Sequence, residues 1–405
     1  MKRRLLAIFL SLTLMLSLIP SAWAVENGGD ATPYNTSEEE PQNGLTGYCG
    51  DPAVNDGKNV TWELEKNGDF LYCVTKTTGD TTSWRFYEQE TDAKEGDPKK
   101  VQAYTLTISG EGAMADYARN TTPWGLALAE LLKVETTGNN VSGFCSPHIT
   151  QVVFTEGSNV TYIGAHAFRS TGIRTFEFPD SVESIGDYAF IMCGQLKSIT
   201  AAGSNANREF YVEDDVVYQP YGSGGLALRF FPLAKWTGAY EIEDGVTALG
   251  SNSMQMAEFT SVTIPTSVRS INSYAFNSSA IKSVTFNGVP SFGTEFEDNA
   301  LPGAGAFSNC ENLTTINFPQ NVTKLPNSLF SGDVSLKDFT IPNSVTEIGN
   351  TAFANTGITK IEIPAGVTTI GRGVFSTSAP AEGEESVRTS IAVNFEEGSK
   401  LASIG

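Results

Sequence analysis

From Ile149 onward the chain restates one phrase, clearest in Thr340-Ile341-Pro342-Asn343-Ser344-Val345-Thr346-Glu347-Ile348-Gly349-Asn350-Thr351-Ala352-Phe353. The same words recur from Phe178-Pro179 to Phe190, from Ile264-Pro265 to Phe276 and from Ile363-Pro364 to Phe375. With the closing aromatic as phase marker, the series is Phe168, Phe190, Met254, Phe276, Phe307, Phe330, Phe353 and Phe375, whose regular steps are 22 or 23 residues. A fixed period of this size predicts stacked coils, because one such unit cannot bury its apolar face alone. Two longer steps mark insertions, one at about residues 201–239 and a smaller one near 288–303, and insertions are expected to leave the stack as loops.

Each word has a physical task. In Ile173-Arg174-Thr175-Phe176-Glu177-Phe178 and Ile358-Thr359-Lys360-Ile361-Glu362-Ile363 alternate residues are apolar, the pattern of a strand with one face in a core. Proline follows at 179, 265, 319, 342 and 364; lacking an N–H, it ends the hydrogen-bond ladder at a common level. The glycine of the Ile-Gly or Leu-Gly pair, at Gly164, Gly186, Gly250, Gly349 and Gly371, is read as permitting a turn, after which Ala-Phe fills the core.

Upstream, Lys2-Arg3-Arg4, an apolar run over residues 5–19 and Ser21-Ala22-Trp23-Ala24 have the order of a secretory signal peptide, with cleavage expected after Ala24. The run is shorter than the roughly 20 residues needed to span a bilayer, and no later stretch resembles a span. Residues 25–43 lack apolar periodicity and read as a disordered linker. The formal net charge of −20, with 46 acidic against 26 basic residues, repels phosphate and excludes nucleic acid as a partner.

These phrases closely resemble the BspA-like leucine-rich repeat proteins of bacterial surfaces. The resemblance implies a β-rich solenoid, a leucine-rich repeat array of 22–23-residue coils over residues 146–405, preceded by a small N-terminal β capping segment over residues 44–145. Gly47-Tyr48-Cys49-Gly50, Val60-Thr61-Trp62-Glu63-Leu64, residues 106–114 and Pro123-Trp124 resemble the β segment that often precedes such arrays. Residues 65–102 are an insertion into it, and the longer repeat insertion resembles a hairpin excursion turned at Gly222-Ser223-Gly224-Gly225. Residues 395–405 echo residues 154–164 and stop where the next Ala-Phe is due, so the array is expected to be incomplete at that point.

Motifs for chemistry are sparse. His148 and His166 lie near Cys145 and Glu156, without a nucleophile elbow, an HExxH helix or paired CxxC spacing, so neither catalysis nor zinc is expected. The acidic runs Glu213-Asp214-Asp215, Glu295-Phe296-Glu297-Asp298 and Glu382-Gly383-Glu384-Glu385 complete no EF-hand and read as solvated loops. No cofactor is expected. Cys193 and Cys310 occupy a small inward slot that elsewhere holds Thr171, Ser279, Asp333 or Thr356, and read as buried thiols. Cys49 and Cys73 could pair, leaving Cys145 over.

The outward strand positions form a hydroxyl sheet dotted with charge, and the concave face they line is the candidate binding site. Its residues are Arg174, Glu177, Lys197, Lys282, Lys337, Lys360 and Glu362. A glycan platform would want exposed aromatics there, so sugar binding would have to use Trp62, Trp84, Trp124, Tyr221 or Trp236 instead. The expectation is a secreted or surface-displayed, non-catalytic interaction protein. The family resemblance points to adhesion, with a host matrix protein or another cell as the extracellular partner. The alternative is a carbohydrate-binding or scaffolding segment of a larger surface enzyme.

Overall fold

The structure is a computed structural model that describes residues 45–78, 81–87, 99–119, 121–132, 146–287, 303–377 and 391–405. The expected signal peptide and linker, Cys145 and the acidic runs at 295–298 and 382–385 lie outside these residues. The repeat strands pair in parallel and in register. Thr175–Phe178 pairs with Ser198–Ala201, and Ala239–Glu241, Ser261–Ile264, Ser283–Phe286 and Thr315–Ile316 follow one another across a second sheet. Lys360–Ile363 pairs with Ala392–Phe395. Valine opposes valine and serine opposes serine, as at Val262↔Val284 and Ser261↔Ser283, because each repeat places the same residue type at the same height. Several of these strands end on the residue before proline, at Phe178, Ile264 and Ile363.

A second parallel ladder runs through the two-residue strands of the Ile-Gly phrase. Ala248–Leu249 pairs with Ser270–Ile271, and Lys324–Leu325, Glu347–Ile348, Thr369–Ile370 and Ser403–Ile404 form another run. The glycines that follow serve a different purpose from the expected one. None of Gly164, Gly186, Gly250, Gly349 and Gly371 is among the positive-φ residues. A Cβ would instead strike the preceding layer, meeting the Ala115 oxygen of the N-terminal segment at 1.7 Å from Gly164 and the Asn327 nitrogen of the preceding repeat at 2.6 Å from Gly349. Close approach between repeats, not turn freedom, requires glycine there.

A third ladder, unannounced by any strand pattern, runs through the turns around most of the marker residues. The N–H groups of His166, Phe168 and Ser170 donate to the carbonyls of Asp187, Ala189 and Ile191 at 3.0, 2.9 and 2.9 Å. Tyr274, Phe276 and Ser278 do the same toward Ala304, Ala306 and Ser308. The intervening N–H groups close turns within the repeat, as Ala167 does onto Gly164. This alternation is achieved by left-handed residues two before and two after the marker: His166 and Ser170, Tyr188 and Met192, Asn252 and Met256, Tyr274 and Ser278, Thr351 and Asn355. Non-glycine residues adopt that conformation at a cost of about 1–2 kcal/mol each, which the inter-repeat bonds offset. Inside the turns the marker rings stack, Phe276 on Phe307 with centroids 5.2 Å apart and Phe353 on Phe375 at 5.9 Å.

The insertion at 201–239 does not leave the stack. Tyr211–Glu213, Val216–Tyr221 and Gly225–Phe230 form an antiparallel meander whose last strand pairs in parallel with Ala248–Leu249, while Ala239–Glu241 pairs with Ser261–Ile264. It therefore builds one further layer within the repeats. Its two faces are both apolar, since Val217, Phe210 and Phe230 pack with Phe178 and Phe190, whereas Val216, Tyr218, Leu228 and Phe231 pack toward Phe259. The acidic run there is a turn, with Asp214 and Asp215 left-handed and Asp215 paired with Lys235 and bonded by Ser198.

The N-terminal sheet is likewise more regular than the sequence suggested. Most of residues 65–102, expected as a loop, extend the strands Val60–Thr78 and Lys99–Ala113, with Thr81–Tyr87 added alongside. Lys99–Ala113 pairs with Ile149–Phe154 by its middle and with Asn159–Ile163 by its end, so a single strand starts both repeat ladders. The Cys49–Cys73 pairing is overturned, because Cys49 is a free, buried thiol. Tyr48 pairs with Thr61 while Cys73 lies 12 residues further along the same strand, roughly 40 Å away. Pro123 opens the helix Pro123–Leu131, and Trp124 on it contacts Trp62, Tyr117 and Phe168, joining this sheet to the first repeat.

Candidate binding face

Three of the expected basic residues occupy one register position, immediately before a strand. Arg174, Lys197 and Lys282 precede Thr175–Phe178, Ser198–Ala201 and Ser283–Phe286. Arg174 and Lys197 are neighbours, since the Lys197 N–H donates to the Arg174 carbonyl at 2.8 Å. Lys282 is remote from them along the row, because Thr260 donates to Gly238 and Lys282 donates to Thr260. Thr314 then donates to Lys282, leaving the lysine flanked by threonines on both sides. Lys337 is exposed but belongs to no strand, contrary to expectation. Asp338, the one acidic residue at its register position, is a poor strand former, and the Phe339 ring lies between Phe330 and Phe353 at 4.9 and 5.3 Å. Lys360 begins a strand one position later and is exposed.

Three positions beyond the basic row stand Glu177, Glu241 and Glu362, all exposed, with Thr200, Thr263, Thr285 and Asn317 at the same level. The face is thus ordered across the strands, cations at the entry side and carboxylates with hydroxyls toward the proline end. Glu241 was missed from sequence because the meander hides its strand, although Ala239-Tyr240-Glu241-Ile242 carries the alternating pattern. Next to the break at the meander, burial pushes the Glu258 carboxyl up from its ordinary value while the Lys197 charge draws it down. Lys-to-carboxylate pairs on such an exposed face contribute little to stability, about 0–1 kcal/mol.

The aromatic alternatives for sugar binding divide. Trp62 and Trp124 are core residues, 5% and 0% exposed, and present no ring to solvent. Trp236 is half-buried against Phe231 and Tyr240, with the Lys235 ammonium 4.2 Å from its ring, and Tyr221 is half-buried at the meander turn. His148 is buried with Nδ1 2.9 Å from the Gln102 carbonyl, and His166 stacks on Tyr188 at 5.2 Å. Burial, with Arg169 and Arg119 nearby, lowers the His166 pKa to about 4, so its ring is neutral near pH 7. Among the described residues no cluster of three His, Cys, Asp or Glu could hold a metal ion, and no helix is long and apolar enough to cross a membrane.

No curated protein matches the chain. Among solved structures it is similar to a leucine-rich cell surface protein of Faecalibacterium prausnitzii, with 24% identity over 65% of this chain and 59% of that one, at a TM-score of 0.42. It is also similar to the pneumococcal vaccine antigen PcpA, with 17% identity over 56% of this chain and 49% of that one, at a TM-score of 0.37. A leucine-rich repeat protein of Eubacterium ventriosum shares 18% identity over 71% of this chain and 96% of its own, at a TM-score of 0.43. The chain therefore spans about three fifths and one half of the first two. Residues 138–211 and 247–381, just over half of the chain and flanking the meander, match the BspA type leucine rich repeat region in six copies, and the chain belongs to that family.

Proposed function

We propose that this protein is a secreted or surface-displayed, non-catalytic adhesin whose strand face binds an extracellular protein, with host matrix proteins the first candidates. Its repeats form a continuous solenoid, and the N-terminal sheet caps the apolar end of the first repeat. The observation that carries the reading is the ordered face itself. Backbone ladders place Arg174, Lys197 and Glu177 on one sheet, Glu241 and Lys282 on a second and Glu362 on a third, with hydroxyls at the same levels. Such a surface makes many modest contacts with little ordering cost, which suits a broad protein partner better than a small substrate. The membership in a leucine-rich repeat family supports a protein-interaction role.

The test is to produce the chain from Val25 onward and screen it at physiological salt against immobilised matrix proteins and a glycan array in parallel. Saturable binding to a protein is the expected result. Binding to glycans alone, or to neither array, would remove the reading.

A further inference from the structure

The repeats are joined differently at the meander than on either side of it. In the repeats before and after, the N–H groups of the marker residue and of the left-handed residues flanking it donate to the next repeat, from His166, Phe168 and Ser170 through to Thr351, Phe353 and Asn355. At Tyr188, Phe190 and Met192 the same N–H groups have no backbone acceptor among the described residues. The other two ladders stop at the same place. Ser184–Ile185 ends the sheet that begins at Leu45–Tyr48, Ser198–Ala201 ends the pair begun by Thr175–Phe178, and the next sheets start afresh at Tyr211–Glu213 and Ala239–Glu241. The core divides there too. One body of apolar side chains extends from Cys49 to Ile199 and takes in Phe210, Val217 and Phe230 of the inserted segment, and a second extends from Val216 to Val374. The insertion near 288–303 does nothing of the kind, because Tyr274, Phe276 and Ser278 donate across it and Phe276 stacks on Phe307 within the second body.

By its backbone the meander belongs to the repeats that follow, since Ala227 and Leu228 pair with Ala248 and Leu249 and Ala239–Glu241 pairs with Ser261–Ile264. Toward the repeats that precede, it is held mainly by side chains. Phe210 packs on Phe178 with centroids 4.7 Å apart and Phe230 on Phe190 at 5.5 Å. Asp215, paired with Lys235, accepts from Ser198 Oγ at 2.6 Å, and Arg229 pairs with Asp187. At the entry to the meander the Arg208 guanidinium bonds the Pro179, Val182 and Ala202 carbonyls, which ties Arg208 to the preceding repeats. Backbone bonds between the two sides run from the Glu209 N–H to the Glu183 carbonyl at 2.7 Å and from the Ala234 N–H to the Leu196 carbonyl at 2.9 Å.

We propose that the chain is built as two cooperative bodies, one ending at Arg208 and one starting at Tyr211, which open independently of each other, with the inner face of the meander as the seam between them. Neighbouring units of a stacked array unfold together to the degree that their shared interface couples them. On either side of the seam that interface is a set of backbone ladders of fixed register over an undivided core. At the seam it is apolar contact, which has no direction, with a few side-chain bonds around it. One body therefore loses its fold while the other keeps its own, and opening at the seam uncovers Phe178, Phe190, Phe210 and Phe230. This property does not depend on what the strand face binds.

The test is pulsed hydrogen exchange on the full chain at increasing urea, read by mass spectrometry of its peptides. Peptides from residues 149–201 should take up label in one transition and peptides from residues 216–287 and 303–377 together in another, each with its own midpoint. Ile173→Val, in the first core, should lower the first midpoint by about 0.3 M and leave the second where it was. Val345→Ala, in the second core, should lower the second by about 0.5 M or more and leave the first. The two variants keep the test decisive should the parent midpoints coincide, and the mild Ile173→Val does so should Val345→Ala fail to fold. A single transition that either variant shifts as a whole, or a division at the 288–303 insertion in place of the meander, would overturn the proposal.

Discussion

Asp333 Oδ1 accepts a hydrogen bond from the Cys310 N–H at 2.8 Å inside the core, and the other oxygen, Oδ2, has no partner there. Asp333 is 0% exposed and fills the inward slot that holds Thr171, Cys193, Ser279, Cys310 and Thr356 in other repeats. The threonines bond locally, Thr171 Oγ1 donating to the Phe168 carbonyl at 2.8 Å and Thr356 Oγ1 to the Phe353 carbonyl at 3.0 Å, whereas the Cys193 and Cys310 thiols donate to the Phe168 and Phe276 carbonyls of the preceding repeat. Burial raises the Asp333 pKa well above the carboxylate range, and the bond from Cys310 offsets only part of this.

An acid whose folded pKa exceeds its unfolded value stabilises the fold most at low pH, and that contribution is lost as pH rises above the unfolded carboxyl range. Asp333→Thr is therefore expected to raise stability at pH 8, by about 1–3 kcal/mol as an unsatisfied buried oxygen is removed. The gain should shrink toward pH 4. Urea unfolding midpoints of both proteins across this range check it, and a gain that grows on acidification would be the wrong sign.

The described thiols should be inert. Burial pushes Cys193 up to about 11 and raises Cys49 and Cys310 further, so none offers a thiolate near neutrality. Peptide mapping after iodoacetamide at pH 8 should find all three unmodified in the folded protein and all three modified in guanidinium chloride. Rapid folded-state labelling of Cys193 or Cys310 would show the core to be open.

Glycine after the second-ladder strand should be tested by packing rather than by backbone freedom. Gly349→Ala would place a Cβ 2.6 Å from the Asn327 nitrogen and is expected to destabilise by about 1–3 kcal/mol. Gly194→Ala, with nothing within 4 Å and no positive φ, should be close to neutral. Thermal unfolding of the two variants separates close approach from turn freedom.

The main ladder was legible because its period, its alternation and its prolines all act within one repeat. Val262 opposes Val284 because residues 22 apart are alike. The turn ladder was hidden for a physical reason. Its left-handed positions mostly hold residues other than glycine, such as His166, Tyr188, Asn252, Tyr274 and Thr351, and only Gly305, Gly332 and Gly373 betray the phase. The meander was misjudged because an interrupted period reads as a departure from the stack, whereas Val216 and Val217 point apolar side chains to both sides and must lie inside it. On the binding face, exposure and alternation were readable, but the separation of Lys197 from Lys282 and the irregular backbone at Lys337 depend on pairing between distant segments.

The central claim is that the strand face binds protein, and the most direct measurement is a binding isotherm on the matrix protein selected by the screen. The chain from Val25 onward is compared with Lys282→Glu/Lys337→Glu/Lys360→Glu at physiological salt. All three side chains are exposed, so the fold should be unaffected. The account predicts at least a tenfold weakening, about 1.4 kcal/mol spread over three rim charges. An unchanged isotherm would contradict it and move the site off the face.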